Sequence, residues 1–207
     1  MKIGVIGFQG DVEEHINILK KLGEKYNNIE PVRIRNKEHL SEVSAIIIPG
    51  GESTTIYKLI LEYGIYDNII ERVRNGTPLM GTCAGLIIAS SSTNDPRVVG
   101  MGLLDVDIQR NGYGRQGDSF MNEVEIDGIG RFLAVFIRAP VIKSVNQGKV
   151  MASYSGKAIM VRDKNVLGLT FHPELTEDTK IHEYFIRMIG GEGGVSTGMH
   201  AGSVRVK

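Results

Sequence analysis

The stretch Ala45-Ile46-Ile47-Ile48 is an unbroken apolar run bounded by Ser44 and by Pro49-Gly50-Gly51. No other segment constrains the fold as strongly. A strand with one wet face alternates apolar and polar residues, whereas a strand apolar at every position needs cover on both faces. The run therefore belongs in the middle of a parallel sheet with helices above and below. Its neighbours agree. Lys2 to Ile6 reads as a buried strand that turns through Gly7-Phe8-Gln9-Gly10. Asp11 is placed to cap the next helix, with Glu14 in the capping-box position. Val12, Ile16, Leu19 and Leu22 recur at helical spacing until Gly23. Pro31 to Arg35 reads as a second strand, helices follow across roughly 54–75, and another strand leads into Cys83.

Strand and helix alternating through short loops imply right-handed crossovers. The expected class is α/β, a doubly wound open sheet in a flavodoxin-like three-layer sandwich. From about Gly100 to Lys164 the pattern changes. Segments such as Asp105-Val106-Asp107-Ile108-Gln109 and Phe132-Leu133-Ala134-Val135-Phe136-Ile137 predict a β-rich stretch within the same domain. The strand before His172 and a helix over 177–189 close the fold. Thr176 is its expected N-cap, with Glu177 and Asp178 in the first turn. Residues 1–189 thus form one domain. The stretch 190–207 opens on Gly190-Gly191-Glu192-Gly193-Gly194, carries no apolar period, and reads as a flexible tail.

Charge and cysteine usage narrow the function. The formal net charge of the 207 residues is zero and neither half forms a basic block, which argues against binding driven by nucleic-acid phosphates. No apolar run reaches the roughly 18 residues of a membrane helix, and the N-terminus lacks the layout of a signal peptide. One cysteine leaves no intrachain disulfide, and a reactive thiol suits a reducing compartment. The expected setting is the cytoplasm.

That cysteine carries the chemistry. Gly81-Thr82-Cys83-Ala84-Gly85 follows an apolar strand and runs into a helix-forming segment, the pattern of a nucleophile elbow. Glycines at its two ends are needed where a Cβ would strike neighbouring backbone. A thiol there meets the positive end of a helix, which favours thiolate. A nucleophile needs a base, and the base an orienting group. His172 ends an apolar strand in Phe171-His172-Pro173-Glu174. Pro173 stiffens the segment, and in an extended chain residues two apart point the same way, so Glu174 can reach the imidazole. His15, His39, His182 and His200 read as solvated or partly packed side chains. No Cys/His spacing suits zinc and no acidic loop suits calcium, so neither a metal nor a cofactor is expected.

Ligands of open α/β sheets bind beyond the C-terminal strand ends. There, Pro49-Gly50-Gly51-Glu52-Ser53-Thr54 has backbone freedom to aim an N–H at a ligand. The Gly51 and Ala84 N–H groups are the expected halves of an oxyanion hole. Gly4, Gly7 and Gly10 do not fit a dinucleotide fingerprint.

The Cys83 block together with His172-Pro173-Glu174 resembles the triad, or class I, glutamine amidotransferases. Further blocks resemble one branch, the glutaminase subunits of pyridoxal 5'-phosphate synthase. They are Ile6 to His15, Pro49 to Thr55, Gln109-Arg110-Asn111-Gly112-Tyr113-Gly114-Arg115-Gln116, and Phe136-Ile137-Arg138-Ala139-Pro140. The resemblance implies that Cys83 attacks the side-chain amide of L-glutamine, giving a γ-glutamyl thioester and ammonia. His172 would be general base and acid, oriented by Glu174. It also implies that Gly50, Gly51, Glu52, Arg110, Ile137 and Arg138 hold the substrate. An Arg and a Glu are chemically apt partners for its α-carboxylate and α-ammonium.

The same resemblance implies a partner, a (β/α)8-barrel synthase subunit in a large hetero-oligomer that consumes the ammonia. Docking is expected around the first helix and the Gly50-Gly51 loop. Two other readings stand beside it. One is a triad glutaminase or γ-glutamyl hydrolase serving another acceptor. The other is a non-enzymatic flavodoxin-like redox or binding module.

Overall fold

In the computed structural model, which describes residues 1–110, 112 and 119–189, the apolar run is β3 (Ala45–Ile48), and all four of its residues are buried. It lies inside a seven-stranded sheet of order β10-β11-β12-β4-β3-β1-β2. The strands are β1 (Lys2–Ile6), β2 (Glu30–Ile34), β4 (Leu79–Thr82), β10 (Lys149–Tyr154), β11 (Lys157–Asp163) and β12 (Val166–Leu169). From β12 to β2 neighbouring strands run parallel. Strands β10 and β11 add an antiparallel edge.

Side-chain alternation along β3 explains its composition. Ile46 and Ile48 join one core with α3 (Ser53–Glu62), α4 (Tyr66–Arg74), α5 (Ala84–Ala89) and β6 (Leu104–Gln109). Ala45 and Ile47 join the other, with α1 (Val12–Tyr26), α6 (Lys180–Met188) and the antiparallel pair β7 (Ser119–Ile126) and β8 (Gly130–Ile137). Each isoleucine so buried contributes roughly 2–3 kcal/mol. Polar side chains at either register would fail on both faces. A small sheet of β5 (Ser90–Thr93), β6 and β9 (Val141–Val145) completes the predicted β-rich stretch.

Some boundaries differ from expectation. The predicted helical region across 54–75 divides into α3 and α4 around Gly64, which takes φ +66. A short helix α2 (Lys37–Glu42) also forms, its first turn capped by the Asn36 side chain accepting from the His39 N–H at 2.8 Å. His39 therefore sits in a helix. The last helix starts at Lys180 rather than at Glu177. Thr176 does not cap it, because its hydroxyl donates to the Pro173 carbonyl at 3.2 Å and closes a 3-10 turn over Pro173–Leu175. Asp178 instead accepts from the Lys180 N–H. The expected tail, 190–207, lies outside the described residues. So do His200 and, within the Gln109 block, Asn111, Tyr113, Gly114, Arg115 and Gln116.

Candidate active site

The strand order decides which loops meet. β12, β4, β3 and β1 are consecutive and parallel, so their C-terminal ends share one rim. The chain reverses between β1 and β3, where such sheets open a crevice. The four loops leaving that rim carry His172 and Glu174, Cys83, Gly50 to Glu52, and Gln9 to Asp11.

Cys83 is the hinge between β4 and α5. Its backbone sits at φ 46, ψ −97, a region L-residues rarely occupy. Such strain persists only where the surroundings impose it. The Cys83 N–H donates to the Leu169 carbonyl at 2.8 Å, tying the elbow to β12. The flanking glycines are required: a Cβ at Gly85 would lie 2.0 Å from the Ile48 carbonyl oxygen, and one at Gly81 would lie 2.7 Å from the Gly85 backbone. The thiol is buried and sits 4.0 Å from the Ile137 carbonyl oxygen.

His172 is held by its backbone N–H on the Val135 carbonyl and by its ring on two carboxylates. Nδ1 lies 2.8 Å from Glu174 Oε1 and 3.1 Å from Asp11 Oδ2. Acceptors on that side place the proton on Nδ1 and leave Nε2 as the reactive nitrogen. The His172–Glu174 pairing is as expected, but its geometric origin is not. Glu174 belongs to the 3-10 turn rather than to an extended chain. Burial works against a charged His172, but the neighbouring Asp11, Cys83 and Glu174 outweigh it and raise its pKa. Burial raises the Glu174 carboxyl, opposed by His172. Asp11 is held low, chiefly by its bond to His172.

Asp11 was expected to cap α1. It makes no side-chain cap bond, because its carboxylate is turned to the imidazole. Asp11, His172 and Glu174 bring donor atoms within 4.8 Å of one another, a set from which a cation could draw ligands. Both carboxylates converge on one protonated nitrogen, however, which is the geometry of an oriented imidazole.

The glycine loop closes against this group. The Asp11 N–H donates to the Gly50 carbonyl at 3.1 Å, and the Glu52 N–H donates to Gln9 Oε1 at 2.9 Å. A Cβ at Gly50 would lie 2.4 Å from His172 Cε1 and 2.6 Å from Asp11 Oδ2. Gly51 takes φ +144, open to glycine alone. Glu52 and Arg110 meet directly: one end of the guanidinium donates to Glu52 Oε1, the other to Asp95 Oδ2. Arg97 also grips Asp95, at 2.9 and 2.7 Å. These arginines, Arg97 foremost, hold the Asp95 carboxyl far below its ordinary range. Arg138 is exposed at the end of β8 with φ 43.

Two histidines expected to be solvated or only partly packed are neither. His15 and His182 are completely buried. Their rings meet at 2.9 Å, Nδ1 of His15 to Nε2 of His182. His15 Nε2 lies 3.3 Å from Thr82 Oγ1 and 3.4 Å from Glu174 Oε2. Burial drives both pKa values down, that of His182 to about 3, and His182 and His172 add to the effect on His15. Gln9, Asp11, His15, Asp95 and His182 are therefore site residues that sequence reasoning did not assign. The first three lie within the opening block, where a capping pattern and a helical period explained them adequately without a site.

A doubly wound sheet with a strained cysteine elbow beside an oriented histidine is the build of a glutamine amidotransferase. A solved structure described as a glutamine amidotransferase superposes with a TM-score of 0.85 at 44% identity, covering 91% of this chain and 98% of that one. The chain belongs to the SNO glutamine amidotransferase family, which matches over residues 5–190. It is 61% identical over 197 residues to pyridoxal 5'-phosphate synthase subunit PdxT of Thermoplasma volcanium, covering 95% of this chain and 98% of the relative. The protein of that name from Thermoplasma acidophilum is 58% identical over 194 residues, with 94% and 96% covered. PurLQS from Thermotoga maritima, at 17% identity and a TM-score of 0.67, shares the fold alone.

Proposed function

We propose that this chain is the glutaminase subunit of a pyridoxal 5'-phosphate synthase and that Cys83, His172 and Glu174 are its catalytic triad. The observation that carries the triad is the contact of His172 Nδ1 with Glu174 at 2.8 Å beside a cysteine at a strained elbow. His172 Nε2 takes the thiol proton, and Sγ attacks the side-chain carbonyl carbon of L-glutamine. The carbonyl electrons move to oxygen, for which the Gly51 and Ala84 N–H groups serve as the oxyanion hole in this reading. Collapse of that intermediate expels ammonia as His172 returns the proton, leaving a γ-glutamyl thioester. Water, deprotonated by the same nitrogen, cleaves the thioester and releases glutamate. A nitrogen whose protonated form is favoured by two carboxylates accepts the thiol proton readily. No sulfur–nitrogen hydrogen bond reaches Nε2 among the described residues, and such bonds commonly tighten only when substrate is bound.

Glu52 and Arg110 are the substrate's amino-acid anchors in this reading, with Gly50, Gly51, Ile137 and Arg138 completing the cradle. Their mutual ion pair keeps both side chains in place before glutamine exchanges with it. Ammonia passes to a (β/α)8-barrel synthase subunit in a hetero-oligomer that docks around α1 and the Gly50-Gly51 loop. The compartment is the cytoplasm, consistent with the lone thiol. Among the described residues no helix is long and apolar enough to cross a membrane.

The test is ammonia and glutamate release from L-glutamine by the parent chain and by Cys83→Ser, with and without the synthase subunit. Release by the parent and none by the variant, with complex formation retained, supports the reading. Undiminished release by Cys83→Ser removes Cys83 from the mechanism, and none by the parent in a proven complex removes the enzymatic reading altogether.

A further inference from the structure

The His15–His182 pair is buried, titratable and used by no step above. Its geometry fixes its protonation. Two neutral imidazoles at 2.9 Å share one proton between Nδ1 of His15 and Nε2 of His182. If His15 supplied that proton, its Nε2 lone pair would face Glu174 Oε2 at 3.4 Å, two acceptors in contact. His182 Nδ1 would then carry a buried N–H without a partner. In the opposite arrangement His182 donates to His15, and His15 donates from Nε2 toward Glu174 Oε2 and Thr82 Oγ1. His182 is left with only an unused acceptor. An orphaned acceptor is more easily tolerated than an orphaned donor. The second arrangement leaves the pair no buried N–H without an acceptor close by.

Glu174 shows what this chain of donors serves. Its Oε1 is bonded to His172, while Oε2 is buried and has no ordinary hydrogen bond among the described residues. The groups facing the carboxylate are His172 from its own segment, Asp11 from the loop before α1, and His15 from α1, whose Nε2 also meets Thr82 of β4. Among the described residues, His15 is the one that puts an N–H near Oε2 while also touching the residue that precedes Cys83. His182, from α6, fixes the tautomer of His15. We propose that His15 and His182 are positioning residues of the glutaminase, a buried imidazole pair that donates in sequence onto the second oxygen of Glu174. The pair holds that carboxylate ionised and aimed at His172. It links the turn that carries the base to the strand that carries the nucleophile. This rests on the triad reading, and wild-type activity is the control that separates the two.

The experiment uses the full chain in complex with the synthase subunit, and compares the parent with His15→Leu, His15→Gln and His182→Gln. Glutamine can accept from His182 and donate to Glu174, as the imidazole does, whereas leucine can do neither. Expected for His15→Leu is a fall in kcat of about 10- to 100-fold with KM nearly unchanged, on the scale seen when an orienting partner is removed. Its kcat–pH profile should also move its acidic limb upward, since a carboxylate stripped of a donor protonates more easily. His15→Gln should recover most of the loss, and His182→Gln should show a smaller shift of the same sign. Imidazole nitrogen NMR of the parent provides the reading that needs no variant: both rings neutral, with the proton on Nε2. Folded His15→Leu with unchanged kcat and acidic limb overturns the proposal. So does equal impairment of His15→Gln and His15→Leu, or a parent His15 protonated on Nδ1. An inactive parent leaves the triad reading, not this one, as the failure.

Discussion

Gly50→Ala isolates positional accuracy at the base from its chemistry, because it adds one methyl group and removes no functional atom. The new Cβ would lie 2.4 Å from His172 Cε1 and 2.7 Å from Nδ1, with Asp11 Oδ2 at 2.6 Å. Ordinary carbon contacts need about 3.5 Å, so the ring or the loop must yield by about 1 Å. Asp11 cannot relieve the clash alone, since its N–H is bonded to the Gly50 carbonyl. Displacement by about 1 Å is enough to reduce a rate about 10²-fold, or about 2.7 kcal/mol of barrier. The overpacking should destabilise the fold by about 1–3 kcal/mol. Glutamate release measured by coupled dehydrogenase in the synthase complex, beside a thermal melt, reads both quantities. A kcat within threefold of the parent, in a variant that remains folded, refutes the inference that Gly50 is small because His172 occupies the space beyond it.

Asp95→Asn removes the charge that holds the far end of Arg110 while leaving the triad untouched. KM for glutamine should rise about tenfold with kcat nearly constant, the signature of lost uniform binding; an unchanged KM in steady-state kinetics would mean that Glu52 suffices to hold the guanidinium. Stability should fall with acidity. His15 and His182 have lowered folded-state values, so below their ordinary value of 6.5 the unfolded chain takes up protons that the native one refuses. The loss is about 1.4 kcal/mol per pH unit for each ring. His172 acts in the opposite sense. Its value is raised, so its contribution is complete below 6.5 and fades as the pH climbs above it. Urea midpoints should therefore peak near pH 6.5, and His182→Leu should lose about half of the slope between pH 6.5 and 5; an undiminished slope would show that other groups set it.

The parts of this molecule readable from sequence are those in which a local pattern has a single physical outcome. A short β-branched apolar run closed by Pro49-Gly50-Gly51 favours a strand buried on both faces, and β3 is one. Glycines two residues either side of a cysteine at a strand end can only make an elbow, and the backbone at Cys83 shows it. What failed to read out were residues whose local pattern had two outcomes. Asp11 before a helical period is a cap by every local rule, yet its carboxylate serves His172. Thr176 before Glu177 and Asp178 promises a helix start, yet the 3-10 turn takes its hydroxyl because Glu174 must fold back to the ring.

His15 and His182 mark the deeper limit. They stand 167 positions apart, on helices whose apolar faces are periodic with or without them. An imidazole on such a face is equally compatible with a wet flank and with a dry one. The choice follows from strand order, which sets α1 and α6 on the same side of the sheet and brings Thr82 and Glu174 between them. Once β12 lies beside β4, the two helix faces and the triad carboxylate share one dry volume. Burial then disfavours a charged imidazole at either position, and the arrangement proposed above is a neutral pair that donates toward the carboxylate. The acid lability and the orientation of the base follow from that same burial. A single substitution at His15 should therefore move the acidic limb of the rate and the pH dependence of stability together.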